Sequence, residues 1–208
     1  MARRPALRVL LAPLLAALSL PAGAQAPAGG TEPAVGRLNH AGYRTRTHCS
    51  AALVAPREAV TALHCVEGVE ADALHLLLGY DRGAYAEHRR VLAVQASAEA
   101  DVARLCLDAA SRVAPLPVSA APPEPGPATV RGYPRTQAHA QEERDCPIRP
   151  IPGTPLAWLG CGLEQGLSGA PVRAADGAVV GVASASAEWE GLAVLLSALP
   201  EGGCEAPG

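Results

Sequence analysis

From about Arg37 onward this chain is cut into short apolar runs with turn residues between them, a pattern that admits few architectures. Runs at 51–55, 59–62, 73–79, 91–95 and 102–107, and again at 128–132, 156–161, 170–173, 178–184 and 192–196, have the length and composition of β-strands. The sharpest turn signal is Asp176-Gly177, which sits between two apolar runs and predicts a hairpin. No stretch sustains a helical period; the nearest candidate is a short segment at 82–87. Between the two sets of strands, residues 113–127 hold six prolines and read as a linker. Two sets of short strands predict an all-β protein of two small barrels, and roughly 180 residues are enough to bury a core.

The N-terminus predicts export. Arg3, Arg4 and Arg8 precede an apolar run from Val9 to Leu20, and Ala22-Gly23-Ala24 fits a small-x-small cleavage site. Cleavage there leaves a chain of 184 residues (208 − 24) starting at Gln25. No later stretch reaches the ~20 apolar residues of a membrane span. A lipoprotein would need a cysteine at the cleavage point, and the first cysteine is Cys49. The six cysteines all follow the cleavage site, and an even count in a secreted chain predicts three disulfides, with ~15 possible pairings. No Cys-x-x-Cys pair is present, so no metal site is expected. All 17 basic residues are arginine and phenylalanine is absent, which together with the abundant Ala, Gly and Pro reflects a coding bias. A net charge of −3 gives no reason to expect nucleic acid as a partner.

Three segments carry the chemistry. They are Thr61-Ala62-Leu63-His64-Cys65, Ala100-Asp101-Val102-Ala103-Arg104-Leu105 and Gly166-Leu167-Ser168-Gly169-Ala170-Pro171. A serine hydroxyl must lose a proton to attack a carbonyl, a histidine can take it near neutral pH, and a carboxylate fixes the imidazole tautomer and stabilises the imidazolium. An α/β-hydrolase reading fails: it needs Gly-x-Ser-x-Gly, where position 170 is alanine, and a histidine after the serine, where none follows His139. Asp72, Asp81 and Asp108 compete with Asp101, but only Asp101 opens an Asp-x-Ala-x-Leu strand pattern. His40, His48, His75, His88 and His139 have no motif around them and read as surface or structural residues.

In their order His, Asp, Ser, these segments resemble the chymotrypsin-like serine peptidases, nearest to the small bacterial secreted branch that includes the glutamyl endopeptidases. The three segments are similar to the family's Thr-Ala-Ala-His-Cys, Asp-Ile-Ala and Gly-Asp-Ser-Gly-Gly-Pro, and the resemblance spans roughly residues 35–199. Spacings of 37 and 67 residues (101 − 64 and 168 − 101) imply trimmed surface loops. The resemblance implies two six-stranded antiparallel β-barrels with the active site in the cleft between them. It implies a serine endopeptidase with His64, Asp101 and Ser168 as catalytic residues and the N–H groups of Gly166 and Ser168 as the oxyanion hole. It assigns Gly162, Gln165, Ser184, Ala185 and Ser186 to substrate binding, with Ser184 also hydrogen-bonding Asp101. It pairs Cys49 with Cys65. Cys146 and Cys161 flank a short Pro-rich connection and are expected to pair, which leaves Cys106 with Cys204; the pairing of these four is otherwise open.

Two positions depart from the family. Leu167 stands where digestive members have the aspartate that receives a new N-terminal ammonium, so activation by that route is not expected. The pocket-floor position falls on Gly162, which carries no charge, so a preference for Arg or Lys before the scissile bond does not follow. The expected organisation is a signal peptide at 1–24, a flexible segment at 25–34, barrels at 35–112 and 128–200 joined by the 113–127 linker, and a tail at 201–208. The expected partner is a protein or peptide substrate, met by a secreted or periplasmic monomer with no cofactor and no membrane attachment after signal cleavage. The competing expectation is a pseudo-peptidase that uses the same fold as a secreted binding module.

Overall fold

A computed structural model describes residues 30–40, 48–187 and 189–204, without the side chains of 185–187. The signal segment and its cleavage site lie outside the described residues. The first half contains β1 (Val35–His40), β2 (His48–Ala55), β3 (Glu58–Thr61), β4 (Leu74–Leu78), β5 (Glu87–Ala96) and β6 (Ala103–Leu107), closed into a barrel in the order β1-β2-β3-β6-β5-β4. The period of two is plain in β4, where Leu74, Leu76 and Leu78 point inward and are fully buried while His75 and Leu77 lie between them. With no phenylalanine available, Leu38, Leu53, Val60, Leu105 and Leu107 complete this core. Burying each such side chain contributes about 1.5–3 kcal/mol. The segment at 82–87 is not helical: Asp81 and Ala84 bridge across a tight turn, and Glu87 already opens β5.

The linker is pinned to both halves. The Leu116 N–H donates to the Leu53 carbonyl at 2.9 Å, while Val118 bridges Val179 and the Ser119 N–H donates to the Val179 carbonyl at 2.9 Å. The second half contains β7 (Ala128–Gly132), β8 (Glu142–Asp145), β9 (Ile148–Pro150), β10 (Leu156–Leu159), β11 (Pro171–Ala174), β12 (Val179–Ala187) and β13 (Glu190–Leu195). It is a curled seven-stranded sheet in the order β8-β7-β11-β12-β13-β10-β9, not a closed six-stranded barrel. β8 and β9 are consecutive in the chain but stand at opposite ends of the strand order, because β8 pairs with β7 and β9 with β10. Backbone bonds from Cys146 to Ala128 (2.9 Å) and between Gly126 and Ile148 (2.9 and 3.0 Å) bring those edges together.

Three disulfides join Cys49 to Cys65, Cys106 to Cys204 and Cys146 to Cys161. The halves share apolar contacts around Tyr133, Val179, Val182 and Val194, and the fully buried Tyr133 hydroxyl donates to the Tyr80 carbonyl at 2.9 Å. Burial pushes that phenol above its ordinary range. The described end of the N-terminal segment is fastened to the second half. The Glu32 N–H donates to Gln141 Oε1 at 2.8 Å, and Gln141 Nε2 donates back to the carbonyls of Glu32 and Val35 at 2.9 and 3.0 Å. Among the described residues no helix is long and apolar enough to cross a membrane.

Candidate active site

His64 lies in a 3-10 turn, Leu63–Cys65, that follows β3 directly. The next residue, Cys65, is buried and bonded to Cys49 on β2, so the turn is fixed covalently against the barrel. Asp101 precedes β6, whose Ala103 pairs with Thr61 of β3, so adjacent strands deliver the two side chains to one place. The Asp101 carboxylate takes both available donors of His64: the backbone N–H reaches Oδ1 at 2.8 Å and Nδ1 reaches Oδ2 at 2.7 Å. A carboxylate only accepts, so Nδ1 carries the proton and the neutral ring keeps its lone pair on Nε2. Ser184, from β12, donates its hydroxyl to the same Oδ2.

These bonds set the protonation states. The hydrogen bond to Asp101 raises the His64 imidazole above its ordinary value of 6.5, against partial burial that lowers it. Burial pushes the Asp101 carboxyl up, but hydrogen bonds from His64 and Ser184 outweigh it and hold the group below its ordinary value. The pair therefore favours an ionised carboxylate beside a basic imidazole.

Ser168 sits in the loop entering β11, and the peptide planes before it are each oriented by a hydrogen bond. The Gln165 carbonyl accepts from the Arg135 N–H at 2.7 Å, which in a trans peptide turns the Gly166 N–H the opposite way. The Gly166 carbonyl accepts from Ser50 Oγ at 2.8 Å, and the Leu167 carbonyl accepts from the Ala170 N–H at 2.9 Å. Gly166 has φ +95°, and a Cβ there would collide with the Tyr133 carbonyl and lie 2.8 Å from His48 Nε2. Gly169 has φ +79°, and a Cβ there would collide with Thr61 Oγ1 and the Ser50 carbonyl. Gly166 and Ser168 thus lie in a loop whose peptide planes are fixed by hydrogen bonds at the Gln165, Gly166 and Leu167 carbonyls. Leu167 is fully buried in the apolar core of the second half.

His64, Gln165, Gly166 and Ser168 line one cavity of about 530 Å³, together with His40, His48, Cys49, Cys65 and Arg135. Ser168 and His64 border this space without being hydrogen-bonded to each other among the described residues. The other assigned positions lie elsewhere. Ser184, Ala185 and Ser186 are on β12, where Ala185 pairs with Leu192 and Ser186 with Gly191 of β13. The Gly162 carbonyl accepts from Arg144 at 3.1 Å. Leu163 packs on Gly191, with its Cγ 2.8 Å from where a Cβ would stand, and fills space beside Gly162. Glu164 is held by Arg144 at 3.1 Å and Thr136 at 2.7 Å. Cys49, His64 and Cys65 are close enough to suggest a metal site, but both sulfurs are spent in a disulfide and offer no thiolate.

Sequence reasoning missed Ser50; His40 and His48, read as surface or structural, each bond a backbone carbonyl, of Cys65 and of Tyr133, and also line the cavity. Ser50 is fully buried and holds the serine loop at Gly166 and Ser168. Its hydroxyl donates to Gly166 and accepts from the Tyr133 N–H at 2.9 Å, its N–H donates to the Ser168 carbonyl at 2.8 Å, and its carbonyl accepts from Thr61 at 2.8 Å. No local motif marks it, because its partners come from 11 to 116 residues away. Ser50→Ala strands two buried backbone groups, a cost of about 1–3 kcal/mol in stability. Release of the Gly166 plane is expected to lower kcat by roughly ten- to a hundredfold with little change in KM. Steady-state kinetics beside a melting curve check this; a variant with wild-type kcat would show that Ser50 is only structural.

The trypsin-like peptidase domain family matches residues 49–182. Solved structures share the fold. A thermostable serine protease, AL20, from an extremophilic microorganism is 18% identical with a TM-score of 0.67, over 79% of this chain and 91% of that one. The Rv3671c protease of M. tuberculosis in its active form is 22% identical with a TM-score of 0.63, over 80% and 77%. Human heparin binding protein is 19% identical with a TM-score of 0.67, over 80% and 87%. Identities this low speak to fold alone. No curated protein matches the sequence.

Proposed function

The chain belongs to the trypsin-like peptidase domain family, and on that premise we propose that it is a secreted or periplasmic serine endopeptidase working through His64, Asp101 and Ser168. The observation that carries the proposal is the double hold of Asp101 on His64 beside a serine loop whose peptide planes are already fixed. Ser168 Oγ attacks the scissile carbonyl as His64 Nε2 takes its proton, and Asp101 stabilises the imidazolium. The N–H groups of Gly166 and Ser168 receive the oxyanion, each such donor being worth about 2.7–4 kcal/mol in the transition state. Collapse of the tetrahedral intermediate breaks the C–N bond, and His64 returns the proton to the leaving amine. Water, deprotonated by the same histidine, then hydrolyses the acyl-enzyme.

Leu167 supports activity without a buried N-terminal ammonium, since its site is apolar and filled. Protein starting at Gln25 and protein trimmed to Val35 are therefore expected to have similar kcat/KM; a large gain on trimming would refute this. Gly162 with Leu163 packed on Gly191 supports a small or apolar residue before the scissile bond, because Glu164 is committed to Arg144 and Thr136. An acidic side chain in the pocket, from Glu164 or Glu188, would instead favour Arg or Lys there; Glu188 lies outside the described residues. Trimmed loops keep the bacterial secreted branch near the glutamyl endopeptidases part of this proposal.

The test is the pH dependence of kcat/KM on a peptide ester. Neutral His64 is the active base, so activity rises as pH passes its pKa, and the rise is centred above the ordinary 6.5 because Asp101 raises that pKa. Asp101→Asn removes the raising partner. The rise is then expected to move to lower pH while kcat falls by about 10⁴, since the amide no longer enforces the tautomer. A profile unmoved by Asp101→Asn would contradict the proposal. A secreted binding module, the competing expectation that Leu167 leaves open, would show no such activity.

A further inference from the structure

We infer that the leaving-group side of the cleft selects substrates carrying a carboxylate side chain in the first two residues after the scissile bond, through Arg135. This rests on the peptidase reading above and goes beyond it by naming a substrate class.

The placement comes from the cavity walls. Among the described side chains, the cavity of about 530 Å³ is lined by Ser168 but by none on β12, the strand whose Ser184, Ala185 and Ser186 are assigned to the part of the substrate before the scissile bond. Its lining includes His40, His48, the Cys49–Cys65 disulfide, Arg135, Gln165 and Gly166. His64, which would hand a proton to the departing amine, is part of the same lining. The cavity therefore takes the half of the substrate that leaves as an amine, and its volume holds more than one side chain.

Its charge is one-sided. Among the described residues no aspartate or glutamate lines it, and Arg135 is the only described lining residue with a permanent charge. His48 donates from Nε2 to the Tyr133 carbonyl at 2.8 Å, and burial lowers its pKa, so it is neutral at pH 7. His40 Nε2 is occupied by the Cys65 carbonyl at 3.0 Å.

Arg135 is also positioned. Its backbone N–H holds the Gln165 carbonyl at 2.7 Å, and its Nη1 donates to Gln165 Oε1 at 2.9 Å. The backbone bond fixes the main chain, and the solvent-exposed guanidinium is oriented at the cavity by its one bond to Gln165. Arg131, Arg144 and Arg173 of the same half are paired with glutamates, whereas Arg135, like Arg149 on β9, has no carboxylate partner among the described residues. The carboxylate nearest in the loop, Glu164, is taken by Arg144 and Thr136. A charged fork that is held in place and lacks an anion matches a substrate carboxylate.

The test uses the mature protein and an internally quenched peptide library varied at the two positions after the scissile bond. Glu or Asp is expected over Gln or Asn by about tenfold in kcat/KM, falling as salt rises. Arg135→Glu should invert the preference toward Arg and Lys, and Arg135→Gln should abolish it without inversion. Equal cleavage of acidic and neutral peptides, or an acid preference that survives both substitutions, overturns the inference while leaving the peptidase reading intact. Failure to cleave any library member overturns the peptidase reading, and this inference with it.

Discussion

Replacing Ser168 or His64 by alanine is expected to lower kcat by roughly 10⁴ to 10⁶, and the double variant should lose little more than either single one. The reason is that nucleophile and base act as a unit: without the base the hydroxyl stays protonated, and without the hydroxyl the base has nothing to activate. What remains is the loop that Ser50, Arg135 and Ala170 hold in place, which can still polarise a bound carbonyl. Neither substitution removes a core contact, because His64 is exposed and Ser168 only half-buried, so both variants should melt close to the wild type. Turnover assays on a peptide ester, beside thermal denaturation, check this. Near-wild-type turnover by Ser168→Ala in folded protein would end the mechanism.

The second large effect is on stability. Breaking the Cys106–Cys204 bridge is expected to cost about 4–5 kcal/mol on the chain-entropy account of a loop of ~100 residues. The bridge spans 98 residues and fastens the C-terminal segment to β6. The same segment donates the Cys204 N–H to Glu58 Oε1 at 2.6 Å, and Arg104 pairs with Glu58 at 3.2 Å, so a small polar cluster loosens with it. A domain of this size has only about 5–15 kcal/mol in total. The double variant Cys106→Ser, Cys204→Ser should therefore melt roughly 10–20 °C lower. The Cys146–Cys161 bridge spans 15 residues and should be worth about 3 kcal/mol by the same account. Calorimetry of both pairs of variants decides it; a larger loss from the short loop would show that unfolded-chain entropy is not the main contribution.

How far the sequence could be read depended on how local each signal was. β4 and the Asp176-Gly177 hairpin were legible because alternation and turn chemistry are properties of a few adjacent residues. β8 was not: Glu142–Asp145 has no apolar face and exists as a strand only because it pairs with β7. The seven-strand order was not legible either, because it is set by the separate strands, β7 and β10, with which β8 and β9 pair. In the site, His64, Asp101 and Ser168 could be named because each stands in a short motif. Ser50 and Arg135 could not, since each has its meaning from a partner brought close by folding.

The central claim is that Ser168 is an activated nucleophile, and a fluorophosphonate probe on the purified mature protein tests it most directly. The account predicts one covalent adduct, mapped to Ser168 by peptide mass spectrometry, absent in Ser168→Ala and strongly slowed in His64→Ala. Folded protein that takes up no probe, or that is labelled equally well in the absence of His64, would contradict it.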